Sequence, residues 1–481
     1  MRGGRHLHVR ARSCAQLHRA RVDAGGPSRL PALAEDSMKG LAVALLLAVP
    51  AFAQERRDPR VEAMVRRIDA ARLQATVKRL TEFGTRHTLS GTQAPGRGIV
   101  PAREWLAAEF SAIAKGSRLK PFEDRFTAQP DGKRIPSAVE IVNVGVILPG
   151  SDSARSKQAI VMTAHYDSMP SDVMDPKADA PGAIDDASGT AMALELANAL
   201  KDESPALTVY LVAVAGEEQG LIGSQHLARR LKSEGVEVVA MASVDIAGNS
   251  EGQDGVRDAT VARLFSEGTP ETESEAQKKL RLAVGNENDS AAREWARYVQ
   301  RTGELYVPSL RLRVILRRDR IARGSDHMSF AREGFPALRL SEARENYRGQ
   351  HQTPRTENGV RFGDELWRFD AAYAARMCRA LGAAIASLSF APPPPQEVTL
   401  AGAVSPDAKL RWKLSPDARI AEVILYRRPA DGVVWERAQS LGKVTEVTLP
   451  SVTTDDWFFA VATADAAGNQ SIPQAPSVVG R

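Results

Sequence analysis

The chain has 481 residues, enough for a large core and more than one domain, and its apolar (43%) and charged (26%) fractions are those of an ordinary globular protein. Its formal charge of +5 suggests a basic protein, but residues 1–37 hold seven Arg against three acids, so four of the five charges lie in that leader. The remainder is close to neutral, which leaves nucleic acid without support as a partner.

After the leader, MKGLAVALLLAVPAFAQ places Lys39 before an apolar run from Leu41 to Val49, and Ala51-Phe52-Ala53 fits the small-x-small processing pattern. Residues 38–53 read as a secretory signal peptide cleaved after Ala53, with Met38 as the effective start and 1–37 as an untranslated or dispensable leader. The expected location is secreted or periplasmic. The run is too short for a bilayer span, and no other stretch approaches the ~20 apolar residues that a span needs. Cys14 falls in the leader, so Cys378, on an apolar-periodic helix, has no partner for an intramolecular disulfide.

From Pro59 to about Phe83, apolar residues at helical spacing predict one or two amphipathic helices; GTRHTLSGTQAPGRGI reads as a loop and AREWLAAEFSAIA resumes a helix. Strands are predicted at AVEIVNVGVILPG, QAIVMTAHYD, TVYLVAVA and VEVVAMASVD, with helices from Ser188 and around His226 between them. That alternation predicts an α/β fold with a mainly parallel, mixed central sheet flanked by helices. Residues 251 to about 320 read as a covering subregion inserted between core strands, and the core returns at GFPALRLSE and the Cys378 helix. The α/β domain is therefore set at 54–390, followed by a proline-rich linker at 391–396. From 397 to 481, short alternating runs separated by Asp, Gly, Pro and Asn predict a small all-β sandwich.

Chemistry-bearing residues collect where strands end. His165 and Asp167 close one strand, Asp185 and Asp186 sit in PGAIDDASG, Glu217 and Glu218 follow TVYLVAVAG, Asp245 ends SVD, and His351 lies beyond the last core strand. Each has an ordinary reading alone: a hydrogen-bonded histidine, a helix cap for the Asp pair, a turn acid. Together, at successive β-to-α crossings, imidazole nitrogen and carboxylate oxygen suit zinc with open positions.

The series HYDS, PGAIDDASGTA, AGEEQGLIGS, VDIAGN, GSDHMSF and a late His resembles, in order and spacing, the secreted co-catalytic zinc aminopeptidases of the bacterial leucyl-aminopeptidase type, over about residues 75–388. The resemblance implies two zinc ions: His165 and Asp245 on one, Glu218 and His351 on the other, and Asp185 bridging. It implies Glu217 as general base, passing a proton from water to the leaving amine, Asp167 as orienter of His165, and a cis peptide at Asp185-Asp186. The implied substrate is a peptide or protein with a free N-terminus. Glutaminyl cyclisation, C-terminal hydrolysis on the same fold, or a non-catalytic binding protein on a peptidase scaffold are the alternatives. The sequence departs from the family at HQTPRTEN, where an Asp often follows His-Thr, and at Ala322, where some members carry an oxyanion-binding Tyr; Arg320, Arg323 or Tyr347 are the candidate substitutes. His87, His226 and His327 read as structural. WFFAVATADAAGNQSIP resembles the last strands of a fibronectin type III module, which implies a surface- or polymer-binding or spacing role.

Overall fold

Strand β3 (Gln158–His165) shows why the sheet is buried on both sides: Ile160, Met162 and Ala164 point into one apolar cluster and Val161 into another. The computed structural model describes residues 56–93 and 96–478; the expected leader and signal segment lie outside them. The central sheet has eight strands. In chain order they are β1 (Lys120–Ala128), β2 (Val139–Leu148), β3, β4 (Thr208–Val214), β5 (Glu237–Val244), β6 (Val261–Ser266), β7 (Arg311–Ile315) and β8 (Ala337–Glu342). Their spatial order is β1-β2-β4-β3-β5-β8-β6-β7. The middle four, β4-β3-β5-β8, are mutually parallel, while β2 and β6 run antiparallel to their inner neighbours. The expected mixed α/β sheet is thus present, and the carboxyl ends of its four parallel strands lie along one edge.

Helices α1 (Pro59–Arg67), α2 (Ala70–Thr81), α3 (Ile99–Ala114) and α4 (Ala187–Leu200) contribute apolar side chains to the larger cluster. On the other face, α5 (Ile222–Ser233) covers the sheet with Leu227 and Leu231. The stretch 251–320 departs from the expected cover. Its strands β6 and β7 extend the sheet itself, and α7 (Ala291–Tyr306) buries Trp295 and Tyr298, with Trp295 Nε1 donating to Met241 O on β5 at 3.0 Å. Only α6 (Glu275–Val284) in that stretch has no buried residue, as its charged face suggests. Helix α8 (His327–Arg332) precedes β8, a hairpin of β9 (Arg355–Glu357) and β10 (Val360–Phe362) follows it, and α9 (Ala371–Phe390) carries buried Cys378. Strand β1, with Pro121 and alternating charges, gave no apolar run, yet it pairs with β2 along its whole length. Among the described residues, no helix is long and apolar enough to cross a membrane.

The C-terminal residues form two sheets. One contains β11 (Gln396–Ala401), β12 (Ala408–Lys413), β15 (Glu446–Leu449) and β17 (Ser477–Val478); the other contains β13 (Glu422–Pro429), β14 (Arg437–Ser440) and β16 (Trp457–Ala464). Val398, Leu410 and Trp412 face Val423, Leu425, Phe459 and Val461 across the gap, which makes a sandwich. Ile424 and Tyr426, on the outer face of β13, are also buried. What buries that face is the α/β domain. Tyr298 Oη on α7 donates to Gln470 O at 2.9 Å, and Trp435 Nε1 donates to Glu294 Oε2 at 2.8 Å. Asp289 accepts from both Arg297 (2.9 Å) of α7 and Arg428 of β13, with all three side chains no more than 3% exposed. Ala391 and Pro392 of the proline run are buried as well, so the segment lies packed between the parts it joins.

The seam gives a direct test. Asp289→Ala leaves Arg297 and Arg428 buried without their shared carboxylate, and breaking a buried pair from one side costs about 3–5 kcal/mol. The expected result is a lower midpoint of chemical denaturation for the whole chain, with α/β domain and sandwich unfolding together.

Candidate metal centre

The parallel strands deliver the predicted residues to one place. His165 is the last residue of β3; Glu217 and Glu218 follow β4 through Gly216; Asp245 directly follows β5; and Asp185 ends the loop that leads into α4. His351 comes from the segment between β8 and β9, where it adopts a left-handed backbone with φ +51°. Two triads form, His165-Asp185-Asp245 and Asp185-Glu218-His351, each with ligand atoms within 4.8 Å of one another. Asp185 belongs to both: Oδ1 lies 3.1 Å from His165 Nε2 and Oδ2 lies 3.1 Å from His351 Nε2. His165 Nε2 is also 3.9 Å from Asp245, and His351 Nε2 is 3.3 Å from Glu218.

Metal fits these residues on their own chemistry. Asp185, Glu218 and Asp245 are each at most 5% exposed, and Glu218 Oε1 is a buried oxygen with no hydrogen-bond donor. Two imidazole nitrogens and three carboxylates, one offering an oxygen each way, match a pair of zinc-type sites with open positions. Glu217 is half-buried at the same cleft but belongs to neither triad. Burial raises its carboxyl well above the usual range; His165 opposes this, while the charges of Glu218, Asp245 and Asp326 add to it. Burial would lower the His351 imidazole, but Glu218 and Asp185 override it and push it up to about 11.

Several supports explain the arrangement. Asp167 was expected to orient His165; the nearest acceptor to His165 Nδ1 is in fact the Asp167 main-chain oxygen at 3.2 Å, with its carboxylate at 3.5 Å. That carboxylate also accepts the backbone N–H groups of Glu217 (3.3 Å) and Glu218 (3.2 Å), and Thr88 Oγ1 donates to it at 2.9 Å. One side chain therefore fixes a histidine and the acidic turn together. The adjacent acids at 185 and 186 divide their work. Asp186 caps α4 by accepting from Gly189 N at 3.0 Å, Asp185 faces the cleft, and the peptide between them is cis. Buried Arg339 holds Asp245 at 3.0 Å and Asp319 at 3.2 Å, which keeps the Asp245 carboxyl, despite burial, below the usual range.

Two supports gave no usable signal in the sequence. Asp364, thirteen residues beyond His351, accepts from Ile184 N (2.9 Å) and Asp185 N (2.7 Å). It anchors the backbone of the loop that carries Asp185, from beyond the β9–β10 hairpin. Burial, reinforced by the charge of Asp185, raises its carboxyl to about 7. Arg86, in a loop that reads only as a turn, donates to Tyr166 O (2.7 Å), Leu80 O (3.0 Å), Pro181 O (2.5 Å) and Gly182 O (2.9 Å). Gly182 allows that approach: with φ +53°, a Cβ there would stand 2.8 Å from the guanidinium and 2.6 Å from Asp185 O. His87, His226 and His327 belong to neither triad. His87 bonds Val173 O and Gln219, His226 stacks on Phe126, and His327 bonds Arg318 O. Arg320 and Arg323 line the cleft, whereas Tyr347 is 58% exposed and does not.

A carboxylate-rich centre of this kind, at the strand ends of a mixed α/β sheet, defines a metal-dependent hydrolase of the metallopeptidase class. Residues 143–361 match the profile described as "Peptidase family M28". A "Probable zinc metalloprotease" of Leptosphaeria maculans is 42% identical over 407 residues, covering 84% of this chain and 94% of that protein. One of Pyrenophora teres f. teres is 39% identical over 418 residues, covering 86% of each. The chain belongs to peptidase family M28. Among solved structures, LapB from Legionella pneumophila is similar with a TM-score of 0.49 and 18% identity, over 71% of this chain and 79% of that one. Fimbriiglobus ruber glutaminyl cyclase is similar with a TM-score of 0.46 and 18% identity, over 66% of this chain and 95% of that one.

Asp364 touches no candidate metal-binding atom, so its contribution is separable from ligation. Asp364→Ala is expected to weaken metal affinity by about 10–100-fold, the usual cost of losing a ligand's support. Metal content after graded dialysis against chelator measures it.

Proposed function

We propose that the chain is an exported aminopeptidase that holds two zinc ions and releases N-terminal residues from peptides. One observation carries the reading: Asp185 turns one oxygen toward each of two histidines, while Glu217 stands beside them outside both triads. In this reading His165 and Asp245 hold one ion, Glu218 and His351 the other, and Asp185 both. Bound zinc supplies a Lewis acid for the scissile carbonyl and lowers the pKa of water to about 7. The chain supplies the rest. Glu217 takes the proton of the attacking water and delivers it to the leaving amine, a role open to it because it faces the cleft and belongs to neither triad. Asp167 accepts both backbone N–H groups of the Glu217-Glu218 turn and so anchors the segment that carries the two acids. The acidic floor of the cleft also favours a substrate's free ammonium.

Glu217→Gln is expected to lower kcat by about 10²–10⁴-fold with zinc retained at two ions per chain, measured by metal analysis beside the kinetics. Retained turnover rejects the base. A panel of free, N-acetylated and N-terminal Gln peptides separates the chemistry: cleavage that requires the free amine supports an aminopeptidase, and cyclisation of the Gln peptides or C-terminal release rejects it.

Export is part of the same proposal, resting on the Lys39 to Ala53 segment. Mass spectrometry of protein recovered outside the cytoplasm is expected to find Gln54 as the first residue. A chain retained in the cytoplasm with residues 38–53 intact counts against it. The seven-strand sandwich supports a fibronectin type III-like reading, and its seam with α7 supports a bracing role in the enzyme.

A further inference from the structure

The cleft above the two triads has a volume of about 550 Å³, room for the first residues of a peptide. Its floor is acidic, which the proposed metal-binding role of the two triads accounts for. Its wall is basic, which that role does not explain: Arg134 from the β1–β2 loop, Arg320 and Arg323 from the loop before α8, and Arg332 at the end of α8 all line it. Ala322, with φ +56°, bends the chain between two of them.

Charge on this wall is poorly balanced. Glu345 is shared among Arg263, Arg320 at 3.2 Å and Arg323 at 3.9 Å. Asp319, the other acid beside Arg320, is also the partner of Arg339. Arg323 otherwise donates to neutral Gln350 Oε1 at 3.0 Å, and Arg134 donates to the main-chain oxygen of Glu218. The exposed Arg332 side chain makes no hydrogen bond or ion pair among the described residues. A single unpaired surface arginine is unremarkable. Four around one catalytic cleft, with two acids already shared elsewhere, make an anion-binding wall.

We propose that Arg134, Arg323 and Arg332 recognise a carboxylate of the substrate, so that the enzyme favours peptides that present a carboxylate close to the scissile bond. The proposal rests on the aminopeptidase reading above. The carboxylate is either an Asp or Glu side chain beside the scissile bond or the C-terminal carboxylate of a di- or tripeptide. Arg320, tied to Asp319 and Glu345, stiffens the wall.

Matched substrates on the zinc-loaded full chain distinguish the two sources. Glu- against Gln-p-nitroanilide tests the side chain with no terminal carboxylate present, and Leu-Ala against Leu-Ala-amide tests the terminus. The carboxylate member of at least one pair is expected to show kcat/KM higher by roughly 10-fold, as a charge-assisted pair provides. The preference should shrink as NaCl rises from about 50 to about 500 mM. Arg332→Gln and Arg323→Gln should each reduce the preference ratio several-fold. Equal kcat/KM within both pairs, or a preference that neither substitution changes, overturns the proposal. Calorimetry on Glu217→Gln adds a readout without turnover: Leu-Glu should bind more tightly than Leu-Gln-amide, and equal affinities overturn the wall. If no free-amine peptide is cleaved, the aminopeptidase reading fails instead, and binding of acidic against amidated N-acetyl dipeptides still decides the fate of the wall.

Discussion

Like charges brought together out of water constrain this fold more than any other feature. Asp185, Glu217, Glu218 and Asp245 converge at the ends of four parallel strands, with His165 and His351 among them. Taken from water unpaired, each carboxylate would cost several kcal/mol, and their mutual repulsion would add to that. Cations would relieve that repulsion, and the two histidines already lie among the acids. The parallel sheet makes the convergence possible. Its strands end side by side, and each βα turn carries one or two acids to the same edge while the apolar strand bodies supply the stability.

Repulsion also explains the supports. Every acid in the centre is held by something other than metal. Asp245 is held by Arg339, Asp185 by the backbone that Asp364 anchors, and the Glu217-Glu218 turn by Asp167. Arg86 ties the end of β3 to the loop that carries Asp185 using only carbonyl acceptors. Its charge is thus left to act on the surrounding acids; burial lowers it to about 10, against the pull of Asp364, Asp167, Asp186 and Asp185. These contacts hold the ligands in place before any ion arrives, so that binding need not gather four flexible loops.

Legibility in the sequence followed the same physics. Strand-end acids are conspicuous because they interrupt apolar runs, as Glu217 after TVYLVAVAG does, and all five expected ligands meet in space. Supports such as Arg86 and Asp364 were invisible because they bond main-chain atoms, which leave no complementary residue to notice. Strand β1 carries no apolar run because an edge strand solvated on one face needs none. In the segment 251–320, LRLRVILRRDR alternates like a surface ribbon, yet its strands prolong the sheet beyond β8. The docking of the sandwich was equally hidden. Arg297, Asp289 and Arg428 are ordinary surface residues to a sequence reader and become a buried cluster only when α7 and β13 meet.

That seam bears on the catalytic side more than its distance in sequence suggests. Helix α7 fixes β5 through the Trp295 bond to Met241 O, and β5 ends at Asp245. It also carries Tyr298, Glu294 and Arg297 to the sandwich. One helix therefore touches both the strand that presents a candidate ligand and the module that follows the peptidase fold. An appendage serving only as a tether would need no buried charge at its root, because exposed contacts suffice for a spacer and buried ions destabilise unless fully paired. The paired ions at this root imply that the sandwich completes the back of the α/β domain, and its removal would expose Arg297 and Glu294 beneath the sheet that carries the metal centre.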